Sequence, residues 1–220
     1  SDQTNNVPGD TNQQRDVFLY DRALQTTELI SVLTDETPMN GASHSARVSA
    51  DGRFVVFVSA NTRSLVSKLL THENVYLRDR TLGTTTCLTA SNGVEIHPGP
   101  SKSTVGVTLD VAMTPDARWI AYTAFASDGQ THIYRLNRLT GVRDIADRTG
   151  AGLANGYASN PSLSADGSRI CFQTNADNLG SYPAGALDLE KAYVRDYSAG
   201  TLTAIGLQPN GLATTTHCQL

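Results

Sequence analysis

Residues 74–88 read NVYLRDRTLGTTTCL, and variants of this phrase occur three more times in the chain. They are DVFLYDRALQTTELI from Asp16, HIYRLNRLTGVRDIA from His132 and KAYVRDYSAGTLTAI from Lys191. In each copy a run rich in β-branched and aromatic residues ends at an anchor, Asp21, Asp79, Asn137 or Asp196, and a turn leads into a second run. The anchors lie 58, 58 and 59 residues apart. Four residues beyond them stand Gln25, Gly83, Gly141 and Gly200, the position at which a tight turn asks for a positive φ.

A second phrase supplies the other half of the unit. HSARVSADGRFVVFVS from His44, TLDVAMTPDARWIAYTA from Thr108 and NPSLSADGSRICFQT from Asn160 each place a short run, a turn and a longer β-rich run. Asp51 and Asp166, in the Ser-Ala-Asp-Gly turns, read as turn residues required by a fold rather than as catalytic carboxylates. Two hairpins per repeat make four strands, and no stretch sustains helical periodicity, so the chain is all-β. Four-stranded antiparallel units of about 58 residues in tandem are the blades of a β-propeller. The aligned aromatics Phe18, Tyr76, Tyr134 and Tyr193 recur once per repeat, as side chains packed between blades would.

The S-A-D-G-R-x-V-x-F phrase followed by V-Y-L-R-D-R-x-x-G-x-T resembles the WD-like propeller repeats of the type found in the bacterial periplasmic protein TolB. Nearly the whole chain shares this resemblance, and NNVPGDTNQQRDVFLYDR is similar to a variant common in secreted bacterial proteins. Two departures stand out, Ala117 in place of the turn glycine and Asn137 in place of the anchor aspartate. The expected division is a single propeller region over 1–220, with the outer half of a blade in 1–43 and blades in 44–106, 107–158 and 159–209. Residues 210–220 then read as the start of another blade, which makes the chain an incomplete propeller or part of a larger one. The resemblance implies a periplasmic or extracellular bacterial location, and a role as an interaction platform or as a gating domain beside a peptidase.

Composition excludes other classes. With 39% hydrophobic residues, 17% charged residues and a formal net charge of −4, the chain is neither disordered nor membrane-inserted, and its scattered Lys and Arg offer no stripe for nucleic acid. Cys87, Cys171 and Cys218 form no metal-ligand spacing, and at most one disulfide is available; Cys87 and Cys171 read as small buried hydrophobes. There is no G-x-S-x-G elbow and no Ser or Cys in a context that names a base, so no catalytic residue is assigned and the chain is read as a non-enzyme.

In an up-and-down blade the short turns share one end, and the longer, variable connections share the other. Those connections run roughly over 5–16, 61–73 and 175–190 within blades and 32–43, 89–107 and 148–159 between them. The candidate partner-binding residues on them are Asp10, Asn12, Asp16, His72, Glu73, Glu95, His97, Tyr157 and Tyr182. Asp10, Asn12 and Asp16 have the spacing of the first, third and seventh positions of a calcium loop. The glycine and terminal glutamate of that motif are missing, so an Asx-turn loop without cofactor is the favoured reading and Ca²⁺ the lesser one. The Gly-rich TGAGLANG, 149–156, opens no helix and is not read as a phosphate cradle. The expected function is a scaffold that binds another protein through the variable-loop end. The alternatives are the accessory propeller of a larger hydrolase and a carbohydrate or small-ligand binder, possibly assisted by calcium.

Overall fold

A computed structural model describes residues 7, 9–61, 73–91, 94–95, 109–126, 128–180 and 191–205. The chain forms two compact units, 1–109 and 110–220. In the first, β1 (Phe18–Asp21) pairs with β2 (Thr26–Leu29). A four-stranded antiparallel sheet follows, in the order β3 (Ser43–Val48), β4 (Phe54–Ser59), β5 (Asn74–Asp79) and β6 (Thr84–Cys87). A small hairpin of β7 (Ala90–Ser91) and β8 (Val94–Glu95) comes next.

The second unit holds two such sheets. One is β9 (Val111–Met113), β10 (Trp119–Phe125), β11 (Thr131–Asn137) and β12 (Arg143–Ile145). The other is β15 (Ala158–Leu163), β16 (Arg169–Thr174), β17 (Lys191–Asp196) and β18 (Thr201–Ile205). Between them a hairpin of β13 (Arg148–Thr149) and β14 (Gly152–Leu153) occupies most of the Gly-rich segment. All pairings are antiparallel between neighbours in sequence, which is the blade topology of a propeller.

Why these residues make blades is visible in the middle strands. Every residue of β4 and β5 is buried, on both faces of the sheet, whereas β18 at an outer edge is largely exposed. The repeated aromatics meet as directly opposed cross-strand pairs: Phe57 on Tyr76, Tyr122 on Tyr134 and Phe172 on Tyr193, with ring centroids 5.7, 5.5 and 6.0 Å apart. Such pairs stabilise a sheet by about 0.5–1.5 kcal/mol beyond their buried area. In the first unit Val55, Phe57 and Tyr76 pack with Val17, Ile30, Leu33 and Met39 from the first repeat. Phe18, the aromatic of that repeat, is only half-buried. In the second unit Ala112, Ala121 and Ile133 of one blade pack with Leu163, Ile170, Phe172 and Tyr193 of the next.

Arginines tie two of the blades to the connector that follows the preceding repeat, and one blade to the next. Arg78 donates to Glu36 at 2.6 Å, and the equivalent Arg195 donates to the carbonyls of Ala146 and Arg148. Arg135 lies between the rings of Trp119 and Tyr197, 4.0 and 3.2 Å from their centroids, and bonds the Gly167 carbonyl. Cys171, central in β16, is fully buried but disulfide-bonded, so the reading of it as merely a small buried hydrophobe is corrected; Cys87 is only half-buried and is outside any disulfide.

Candidate functional site

The turn carboxylates come first because they recur. Asp51 Oδ1 accepts from the Ser49 hydroxyl at 2.5 Å and from the Arg53 amide at 3.0 Å, and Ser49 Oγ accepts from the Phe54 amide. Thr114, Asp116, Arg118 and Trp119 repeat the arrangement, as do Ser164, Asp166, Ser168 and Arg169. Hydrogen bonds from Ser164 and from the Ser168 amide and hydroxyl hold the Asp166 carboxyl down at about 2, so it stays ionised as an acceptor. Gly52, Ala117 and Gly167 all sit at positive φ, 71°, 55° and 70°. The alanine therefore accepts the glycine conformation rather than changing the turn.

The anchors behave alike. Asp21, Asp79, Asn137 and Asp196 each accept two backbone amides of the following turn through Oδ1. Arg53 and Arg169 clamp Asp79 and Asp196, with closest contacts of 2.7 and 2.8 Å; Asn137 keeps the turn but has no charge to pair. These groups are scaffold.

Inside the blades lies a feature that the strand pattern hides. The residue entering the third strand of each repeat is polar and buried, and in the first three a partner fifteen positions on closes over it. Ser31 donates to Asp16 at 2.6 Å, Thr89 donates to Asn74 at 2.7 Å, and His132 Nδ1 lies 2.7 Å from Asp147. Each partner also accepts the next backbone amide, that of Val17, Val75 or Ile133. In the last repeat the residue is Lys191, whose Nζ reaches the Ala176 carbonyl at 2.9 Å. The sequence signal for this latch was the fifteen-residue spacing of polar pairs in otherwise apolar strands.

His132 is the most strongly engaged. Its Nε2 lies 3.0 Å from Asp128, so the buried ring sits between two carboxylates. Burial alone would lower its pKa, but Asp147 and Asp128 outweigh it and hold the imidazole above its ordinary value. Asp16 is displaced upward: burial is the main cause, opposed by the hydrogen bonds of Ser31 and Asn12 and reinforced by the charge of Asp10.

The loop residues singled out from the sequence are placed as follows. Asp10 and Asp16 are buried, 2% and 3% exposed, and Asn12 is half-buried with its amide on the Met39 carbonyl at 2.8 Å. Glu73 is paired with His44 Nε2 at 3.0 Å. The Glu95 backbone pairs with Ala90. Tyr157 is 38% exposed. His72, His97 and Tyr182 lie outside the described residues.

Around Tyr157 two exposed loops are braced together. The Asn155 side chain donates to Asp177 Oδ1 at 2.5 Å and accepts from the Asp177 amide at 3.0 Å. Asn178 bonds the Asn155 amide and the Leu153 carbonyl, and Asn175 accepts from the Tyr157 amide. A separate open groove of about 490 Å³ runs past Arg143, Asp144, Arg148, Arg195 and Tyr197. In the Gly-rich segment a Cβ on Gly156 would lie 2.3 Å from Asn175 Oδ1, so the backbone there lies close against the neighbouring loop. Among the described residues no cluster of three or more His, Cys, Asp or Glu side chains is arranged to hold a metal, and no helix is long and apolar enough to cross a membrane.

No protein-family model and no curated protein matches the chain. Solved structures do. TolB from Acinetobacter baumannii aligns over 89% of this chain and 41% of its own, with a TM-score of 0.51 and 18% identity. A putative TolB from Agrobacterium tumefaciens aligns over 87% and 56%, with a TM-score of 0.52 and 18% identity. A structure from a study of two prolyl endopeptidases aligns over 87% and 26%, with a TM-score of 0.51 and 12% identity. The chain thus spans about half the length of the TolB structures it matches, and at these identities the likeness speaks to fold. Four-stranded antiparallel blades, the recurring turn chemistry and these neighbours together show a β-propeller fold of the kind seen in the TolB structures.

Proposed function

We propose that the chain is a non-enzymatic binding scaffold that holds a protein partner at the end of the propeller where its longer connections lie. The carrying observation is the braced pair of loops around Tyr157, in which Asn155, Asn175, Asp177 and Asn178 are exposed yet cross-linked by hydrogen bonds. A rigid exposed surface with an aromatic side chain loses little entropy when a partner docks. The recurring turn aspartates and His132 are occupied with holding turns and strands, which favours a scaffold role for them over catalysis. The disulfide at Cys171 favours an oxidising compartment, in keeping with a periplasmic or extracellular bacterial setting.

The test places a photo-crosslinking residue at position 157 and, separately, at position 199, in the exposed short turn at the other end of the same sheet. Crosslinking in the native envelope or secreted fraction should give a discrete heteromeric adduct from 157 and none from 199. No adduct from 157, or one equally strong from 199, would overturn the reading. A second reading, the accessory propeller of a larger hydrolase, draws on the prolyl endopeptidase likeness, in which the matched part is 26% of that chain. A peptidase turnover by the full-length product, sensitive to substitutions in this region, would favour it.

A further inference from the structure

The first repeat buries two carboxylates in one loop. Asp10 is 2% exposed, and neither of its carboxylate oxygens has a hydrogen-bond partner among the described residues. A buried ionised carboxylate left this way is strongly disfavoured unless something positive meets it. Six residues on, Asp16 is equally buried, with Oδ1 on the Ser31 hydroxyl, and the charge of Asp10 acts on it. Between them Asn12 donates from Nδ2 to the Met39 carbonyl and accepts the Gln14 amide on Oδ1, which fixes its side-chain carbonyl in the loop. The chain bends around this point through Gly9 at φ 97° and Gln13 at φ 57°.

The third repeat shows what the same place looks like when its charge is balanced internally. Asp128 stands where Asn12 does, and each accepts the backbone amide two residues on, that of Gln130 or Gln14. His132 stands where Asp16 does and lies between the carboxylates of Asp128 and Asp147. In the first repeat the side chain at that position is an acid rather than an imidazole, and Asp10, whose charge acts on it, keeps both carboxylate oxygens without a hydrogen-bond partner.

We propose that this loop binds one divalent cation of the Ca²⁺ type through the carboxylates of Asp10 and Asp16 and the side-chain carbonyl of Asn12. Two carboxylates neutralise a double charge, and an all-oxygen set with backbone carbonyls at hand suits Ca²⁺ rather than Zn²⁺, which favours His and Cys. Mg²⁺, which demands tight octahedral geometry and gives up water reluctantly, binds more weakly here.

Calorimetric titration of Ca²⁺ into the full, chelator-treated chain tests this, together with thermal unfolding. One equivalent should bind, and saturating Ca²⁺ should raise Tm by about 5 °C or more. Asp10→Asn should abolish both effects, while Asp128→Asn in the third repeat should leave the calcium response intact. Should Asp10→Asn fail to fold, Asp16→Asn serves as the second variant and must show the same loss. Absence of heat and of any Tm shift in the parent chain overturns the proposal, as does binding that survives both Asp10→Asn and Asp16→Asn.

Discussion

Gln25 holds a left-handed conformation, φ 53°, where the other three repeats place Gly83, Gly141 and Gly200 at φ 64°, 73° and 69°. An L-residue there costs roughly 1–2 kcal/mol, partly offset because a glycine would loosen the unfolded chain. Its side chain is exposed, so nothing packed is lost by removing it. Gln25→Gly should therefore stabilise the first unit by about 0.5–1 kcal/mol, and the reverse change, Gly83→Gln, should destabilise it by a similar amount. Chemical denaturation with urea checks both, and a loss of stability in Gln25→Gly would show that the turn is held by contacts of the glutamine. This much was legible in advance, because Gly83, Gly141 and Gly200 align with Gln25 and the turn can have only one shape. What no alignment of turns showed is that Ala117 is both left-handed and fully buried, a combination set by packing.

At the scale of the strand, the His132–Asp147 latch makes a pH prediction whose sign follows from the raised pKa of the histidine. A folded-state pKa above the unfolded value means extra stability that is complete below about 6.5 and is lost as pH climbs through the higher folded value. Each unit of difference is worth about 1.4 kcal/mol. Exchanging the pair for the one that the second repeat uses, His132→Asn with Asp147→Thr, should leave the second unit folded. It should also remove that decline as pH rises above about 6.5 in unfolding measurements. Persistence of the full decline in the exchanged protein would assign it to other groups. The strands themselves were readable from alternation and repeat length. The latch was not, because its members are fifteen residues apart and chemically different in every copy, and only the pleat brings Ser31 to Asp16 or Thr89 to Asn74.

For the whole molecule, repetition made the architecture legible while the proposed binding surface was legible only in fragments. Tyr157 was visible in the sequence, yet the bracing of its loop by Asn175, Asp177 and Asn178 depends on two segments meeting in space. The covalent state also needed the structure: with three cysteines the pairing was open, and the burial of Cys171 alone said nothing of it. Alkylation of the denatured, unreduced chain should label Cys87 and leave Cys171 untouched until a reductant is added, as peptide mass spectrometry would report. Labelling of Cys171 without reductant would remove the covalent argument for an oxidising compartment. Finally, the latch bears on how near-identical repeats avoid one another while folding. A third strand carrying His132 that strayed onto the fourth strand of another copy would meet Ser31 or Thr89 instead of Asp147. Its charge would then be buried against the wrong group. Three dissimilar locks at one position would thus serve as addresses for strands whose turns and aromatics are alike.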